Sequence, residues 1–565
     1  MRHTLFIIAI LCLAFVLRVY KLDTVPPALY WEEVALGYDA YSIAKTARDH
    51  HGTFMPLVAF KSFGDYKPSL YFYAVAPFTL LLGLNEWAVR VPSALAGLSI
   101  VIGVGVLLEV IYKNKTLSCI GVLLAAVSPW AIQFSRGGWE VNLAAALILW
   151  AMIAGIKAEF GSIQVRLRLI AVFLFVLSLY AYHAARLVAP LLGVSLFLYW
   201  LVDDLEKGTV TLHFQSLIKK YYSIVTLTVV MVLPFVFALG TPILEQRINE
   251  TSILSSQIYF EESSTRTGAA NNSITSKVLY HRHVVLLREV ANNYAAHFTA
   301  SFLFISGDNN PRHSAQYTGL FYYLDVVLLI SGLYFFIRKY SKKSTLLVLW
   351  LVIGILPAAI SYSSPHALRI LITLPVWYVL LSLGAKGLLD SLNEKVTNSR
   401  KAKRALNRAL FITTVLVFCG LYALQFTAYL RYYYQVYPKL HAQEWQAGMK
   451  EMIHELTLLQ EKYPEKDVII SQGSGRPAMY YWFFSETEPQ RVQAAAETAK
   501  MDQGEFLSFE NLSFMRALTF PVTTNTIKAY TYKEYNEIVS NPASVETVVV
   551  EDILMGTPRW MIVVN

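Results

Sequence analysis

Long apolar runs broken by short charged loops fill the first three quarters of the chain. Runs near 4–20, 90–112, 116–134, 140–157, 168–184, 186–202, 222–240, 319–337, 345–362, 367–389 and 409–430 predict about eleven transmembrane helices. Each is close to the roughly 17–25 residues that cross a hydrocarbon core as a helix. A further apolar segment, 69–84, is short, carries Tyr71, Phe72 and Tyr73, and is interrupted by Pro77. It reads as an interfacial or re-entrant helix.

After residue 430 the pattern changes. A helical stretch (444–461) leads to the apolar strand DVIISQG (467–473), a short helix over 477–484, and the closing strands VETVVVED and RWMIVVN. Helix and strand in alternation predict a small α/β domain over 431–565. Gly473-Ser474-Gly475 follows the first strand but lacks the third glycine of a nucleotide loop. Residues 241–318 form a polar loop, long enough to be a lid or binding element rather than a connector. The expected fold is therefore a polytopic α-helical membrane protein: a membrane module over 1–430, with a first outer loop at 21–89, and a C-terminal extracytoplasmic α/β domain.

Composition agrees. Of the 565 residues, 55% are hydrophobic and 15% charged, against roughly 25% charged in soluble domains. The net charge of +9 would point to nucleic acid in a soluble protein. Here the basic residues gather in loops between apolar runs, a topology signal that excludes a nucleic-acid partner. Cys12, Cys119 and Cys419 lie inside apolar runs and form no disulfide or zinc pattern. The first run has no small-residue cleavage site behind it and reads as a retained span.

Charge bias orients the chain. With 69–84 not crossing and the N-terminus cytoplasmic, the basic clusters at 113–115, 157–168, 207–220, 338–343 and 395–408 all fall on the inner side. The same topology gathers Glu32, Glu33, Asp39, Asp65, Lys67, Arg136, Glu140, Tyr182, His183, Arg186, Asp308, Arg312, His313, His366 and Arg369 at the outer face. Charges at the ends of spans are costly unless paired, and they mark functional sites.

Among these residues, Glu32 and Glu33 offer a carboxylate base for a hydroxyl nucleophile, or a negative charge at the N-terminus of the following helix. Lys67 suits a lipid phosphate at headgroup depth, or a snorkelling anchor. Arg136 needs an anionic partner, either Glu140 or a phosphate. His183 reads as an interfacial hydrogen-bonding histidine. No HExxH-type spacing occurs, so a divalent metal is left open.

Several short motifs, strung in order over 1–430, carry a family resemblance: WEE before ALGYDAYSIAKT, GDYKPSLYFY with GLNEWAVRVPSALAG, SRGGWEVN, YHAARLVAPLL, GDNNPRHS and PHALRILITLP. In these the chain resembles GT-C glycosyltransferases of the protein O-mannosyltransferase and aminoarabinose-transferase type. The resemblance implies an enzyme of the inner membrane that moves a mannose-like sugar from a polyprenyl-phosphate donor to a protein, lipid or glycan hydroxyl. It implies that Glu32, with Glu33 beside it, supplies the base, and that Lys67 contacts the donor phosphate. Arg136 and Arg369 fall where outer-face charges line the donor site. Asp39, Asp65, Glu140, Tyr182, Arg186, Asp308, Arg312, His313 and His366 would support them. The family usually has Asp-Glu where this chain has Glu32-Glu33, which leaves the identity of the base open. A single candidate base flanked by cations predicts inversion. A flippase of lipid-linked sugars or a membrane-anchored glycan sensor are the alternatives. Against the first, the chain lacks the repeated halves and midplane charges of transporters.

Overall fold

A computed structural model describes residues 2–159, 163–255, 257–271, 273–521, 525–539, 546–552 and 554–565. Two compact units emerge. One comprises Met1–Arg18, Leu95–Ser135 and Glu140–Leu430; the other comprises Val19–Ala94, Arg136–Trp139 and Arg431–Asn565.

Every apolar run is helical at its core. Among the described residues, seven helices are long and apolar enough to cross a membrane: Glu86–Tyr112, Glu140–Lys157, Ala185–Glu206, Phe214–Phe237, Lys342–Ala359, Leu371–Thr397 and Lys403–Gln435. An eighth is broken, Lys115–Val127 meeting Pro129–Ser135 at 59°. The break has a local cause. Ser128 is extended (φ −65°, ψ 133°), because a following proline disfavours the helical region for the residue before it.

The three remaining runs give shorter apolar helices than the sequence suggests. These are Arg2–Val19, apolar from Leu5, together with Gln164–Leu179 and Asp325–Arg338. In the last of them the run starts at 319, but residues 320 and 321 donate their amides to the carbonyls of Phe302 and Leu303. That ties them to a neighbouring turn and delays the helix. Asp325–Arg338 packs against Leu374–Thr397 through glycines. A Cβ on Gly384 would lie 1.9 Å from the Leu328 carbonyl oxygen, and one on Gly332 would lie 2.1 Å from that of Leu380. Backbones this close are the small-residue packing typical of membrane helices.

The long polar segment 241–318 is built of short helices, Pro242–Thr251, Ile258–Ala269, Ile274–Leu279 and Arg282–Ala296.

In the second unit, the helix Trp31–Thr46 is followed by a two-stranded hairpin, Ala59–Ser62 with Asp65–Pro68, and by the helix Leu70–Leu82. The last of these has 13 residues. At about 1.5 Å per residue it reaches roughly 20 Å, short of a full crossing. Its aromatics face inward and along the hairpin. Phe72 stacks on Phe60 at 4.1 Å, and the Tyr71 hydroxyl donates to the Val89 carbonyl at 2.9 Å.

The C-terminal residues form a six-stranded mixed sheet in the order Ser508–Phe509, Leu512–Met515, Asp467–Ser471, Thr526–Thr531, Pro558–Val564, Glu546–Glu551. Asp467–Ser471 is parallel to both its neighbours. The expected helices and the three expected strands are all present, although Val545, the first residue of VETVVVED, lies outside the described residues. Ser508–Phe509, Leu512–Met515 and Thr526–Thr531 are additional in that sheet. The helix Met449–Lys462 lays Met452, Ile453 and Leu456 on the sheet.

One core unites this domain with the segment from Leu29 to Val89. Leu29, Val34, Tyr38 and Val89 are buried with Ile470, Trp482, Phe483 and Ile562. Burying each such side chain is worth about 1.5–3 kcal/mol. Two hydroxyls stitch the same seam: Tyr38 donates to the Thr487 carbonyl and Tyr480 to the Leu29 carbonyl, both at 2.9 Å.

Candidate functional site

Adjacent residues on a helix point about 100° apart, and the pair Glu32-Glu33 is divided accordingly. Glu33 faces the interior and is fully buried. Its Oε1 accepts from Arg90 Nε at 2.9 Å and from the Gly138 amide at 2.7 Å. Its Oε2 accepts from Arg90 Nη2 at 3.1 Å and from the Tyr30 amide at 3.3 Å. The last bond belongs to the capping box that starts Trp31–Thr46. Both oxygens are therefore saturated.

Arg90 is equally enclosed. It donates to the carbonyls of Leu22 and Pro26 at 2.9 Å and of Ala28 at 2.5 Å, and it lies 5.7 Å from the Trp445 ring. No role was assigned to Arg90 from sequence. Its signal was an arginine at the edge of an apolar run, which obliges a carboxylate partner.

Glu32 faces the other way. It pairs with Lys67 of the hairpin, and its side chain keeps 26% exposure against 13% for Lys67. The turn-forming Asp65 accepts from the Tyr66 amide and opens the strand that carries Lys67. A half-open carboxylate beside a lysine can accept a proton from one ligand while the ammonium meets the anion of another.

Arg136 is fully buried. Its Nη2 donates to the carbonyls of Tyr20, Lys21 and Val25 at 2.7–3.0 Å, and its guanidinium lies over the rings of Tyr433 and Tyr434 at 5.7 and 5.1 Å. That cradle fastens the chain just ahead of the Glu32 helix.

Asp39, also fully buried, accepts from the His50 amide at 2.9 Å and pairs with His50 Nδ1 at 2.7 Å. Burial opposes charge on His50, but Asp39 outweighs it and raises the imidazole above its ordinary value. Burial and the neighbouring Asp39 together push Asp49 up to about 6. In the sequence, only the unbroken polar run RDHH marks His50 and Asp49.

The first unit holds a second group. Asp308 Oδ2 accepts from the Ala367 amide at 2.7 Å and has His313 Nδ1 at 3.3 Å and His366 Nδ1 at 3.7 Å. One ligand atom from each of the three lies within 4.8 Å of the others. The His366 amide donates to His297 Nε2 at 3.1 Å, fixing the turn. Burial disfavours ionised Asp308, yet the hydrogen bond and charge of His313, with His366 and the Asn310 amide, hold its carboxyl at about 2. Burial, reinforced by His313, drives His366 well below its usual value. One carboxylate and two imidazoles are a donor set suited to zinc and similar divalent ions.

Arg312 packs beside this group, its amide donating to Asn310 Oδ1 at 3.0 Å. Arg369 sits in the turn before Leu371–Thr373, and its charge acts on His366. Arg186 Nη1 lies 3.4 Å from His183 Nδ1, and its guanidinium lies 5.4 Å from the Phe235 ring. Tyr182 is buried in the turn ahead of the helix Ala185–Glu206. Glu140 stands in the first turn of Glu140–Lys157, where negative charge suits the helix N-terminus.

No protein-family model matches the chain, and no curated protein matches it in sequence. Solved structures do match. ArnT from Cupriavidus metallidurans bound to undecaprenyl phosphate aligns with a TM-score of 0.53 and 13% identity, covering 99% of this chain and 97% of that one. The apo form of ArnT gives 0.53 and 12%, covering 100% and 98%. The archaeal oligosaccharyltransferase AglB from Archaeoglobus fulgidus, in complex with an inhibitory peptide and a dolichol-phosphate, gives 0.48 and 12%, covering 86% of this chain and 63% of that one. At these identities the likeness is one of fold. Along nearly its whole length, the chain shares the fold of ArnT.

Proposed function

We propose that the chain is a membrane glycosyltransferase that moves a sugar from a polyprenyl-phosphate donor to an acceptor hydroxyl on the extracytoplasmic side. The observation that carries this reading is the half-open Glu32–Lys67 pair, set beside a Glu33 that is fully buried and fully bonded. The fold shared with ArnT, which binds undecaprenyl phosphate, supports the donor class.

In this reading Lys67 exchanges Glu32 for the donor phosphate. Glu32, released from its lysine, takes the proton of the acceptor hydroxyl. The acceptor oxygen bonds to the anomeric carbon as the carbon–oxygen bond to phosphate breaks from the opposite face. The leaving polyprenyl phosphate keeps that electron pair, and Lys67 balances its charge. One displacement inverts the anomeric centre. Glu33 and Arg136 are positioning residues here, holding the helix and its approach.

The test is transfer from a panel of radiolabelled polyprenyl-phosphate sugars by the full chain in vesicles. Lys67→Ala is expected to raise KM for the donor and lower kcat together. Equal rates for wild type and Lys67→Ala with every active donor, or retention of configuration in the product, would overturn the mechanism.

Asp308, His313 and His366 are proposed to hold a divalent cation. Titrating the purified chain with Co2+ should give the visible absorption of a low-symmetry site in the wild type, and His313→Ala and His366→Ala should each weaken binding at least tenfold. Identical titrations of all three would refute a metal there.

A further inference from the structure

The C-terminal domain carries a cavity of about 580 Å3 that the reaction above does not use. It lies where ligands lie in open α/β sheets, outside the carboxyl ends of parallel strands. Asp467–Ser471 runs out into Gln472, Leu512–Met515 into Arg516, and Thr526–Thr531 into the helix bearing Glu534. All three residues line the cavity.

Its polar groups are held in place. Glu534 accepts from the Ser471 hydroxyl at 2.8 and 2.9 Å and from the amide and hydroxyl of Thr531 at 3.0 and 2.7 Å. A Cβ on Gly473 would sit 2.4 Å from Glu534 Oε1, so the backbone passes close along that carboxylate. Glu505 is 3% exposed at its side chain. It accepts from the Ala478 amide at 3.2 Å, at the head of the helix Pro477–Phe484, and has Arg476 Nη1 at 3.5 Å. Burial pushes its carboxyl up to about 7. Two bonded carboxylates, one of them beside Arg476, line a cavity within the roughly 300–1,000 Å3 range of small-molecule sites.

The rim is continuous with the Glu32 and Lys67 elements. Trp31, the residue before Glu32, lies against Gly475 of the rim, where a Cβ would come within 3.0 Å of its ring. Arg476 lies 5.0 Å from the ring of Phe63, at the tip of the hairpin that carries Lys67. That tip rests backbone to backbone on the 503–504 turn, since a Cβ on Gly504 would fall 2.0 Å from the Gly64 nitrogen.

We infer that this cavity binds a saccharide portion of the acceptor, an inference that rests on the transferase reading. The chemistry selects the class. Hydroxyls donate to Asp502 and Gln472 and accept from Arg476 and Arg516. Carboxylates outnumber guanidiniums in the lining, which disfavours phosphorylated or otherwise strongly anionic ligands. The acceptor is thus a neutral or amino-bearing sugar, held beside the rim that Trp31 borders.

The test is saturation-transfer NMR and calorimetry on the full chain in a detergent without a sugar headgroup. Mannobiose, chitobiose and glucosamine are the probes, with glucose 6-phosphate and a neutral polar peptide as competitors. Saccharide binding is expected in the millimolar range. The rim variants Arg516→Gln and Asp502→Asn, both at exposed positions, should each weaken it at least fivefold with melting temperatures unchanged. Absence of saccharide binding, binding indifferent to both substitutions, or preference for the phosphate sugar or the peptide would overturn the inference. Because this readout needs no lipid donor, it separates from the transferase test. Transfer without saccharide binding removes only the acceptor site, and saccharide binding without transfer from any donor removes only the transferase.

Discussion

Glu32→Gln is expected to cut the turnover of sugar transfer by about 10²–10⁴-fold, the usual contribution of a positioned general base. The melting temperature should stay within a degree or two of wild type. Glutamine keeps the length and shape of the side chain and can still accept from Lys67, so the local packing is preserved. What it loses is the ability to take a proton. The loss should therefore fall on kcat rather than on KM for the acceptor, the signature of an interaction made in the transition state. Glu32 is 26% exposed and paired with a single lysine, so little stability depends on it. A Glu32→Gln variant with undiminished turnover would remove Glu32 from the chemistry, whatever its melting behaviour.

The neighbouring residue should behave in the opposite way. Arg90→Gln and Glu33→Gln are each expected to destabilise the protein by about 3–5 kcal/mol, the cost of leaving one member of a buried ion pair without its partner. Both side chains of the pair have 0% exposure. The damage would spread, because Arg90 also fixes the carbonyls of Leu22, Pro26 and Ala28, and Glu33 holds the Gly138 amide. In thermal melts by intrinsic tryptophan fluorescence, both variants should unfold well below wild type, and the double variant should cost less than the sum of the two. Such non-additivity is the mark of residues in direct contact. Additive or negligible losses would mean that the pair contributes no coupled stability.

Much of this arrangement is legible in the sequence, and the limits have physical causes. Apolar runs reveal membrane helices because every backbone group in lipid must be paired within its own segment. Their exact lengths stay hidden where a turn borrows residues from a run, as at 319–324. Asp467–Ser471 and Pro558–Val564 were visible as β-branched apolar strands. Leu512–Met515, with four residues, is too short to show a period, and it is a strand because its neighbours pair with it. The adjacent glutamates could not be told apart on paper, because the distinction rests on Arg90, 57 positions away. Asp308 and His366 each stood out as polar residues beside a span. Their meeting across 58 positions is a tertiary event that no local pattern encodes.

The core shared by Leu29, Val34, Tyr38 and Val89 with the sheet and helices after residue 448 bears on how such chains can be recombined. Residues 29–89 and 431–565 are distant in sequence but share this core, and are expected to transfer between chains only together. A chimera that swaps only the C-terminal domain would face half of a foreign interior, whereas one that moves both segments carries its own complementary surface. Acceptor specificity, if it resides in this domain, would then be inherited together with the helix of Glu32 rather than apart from it.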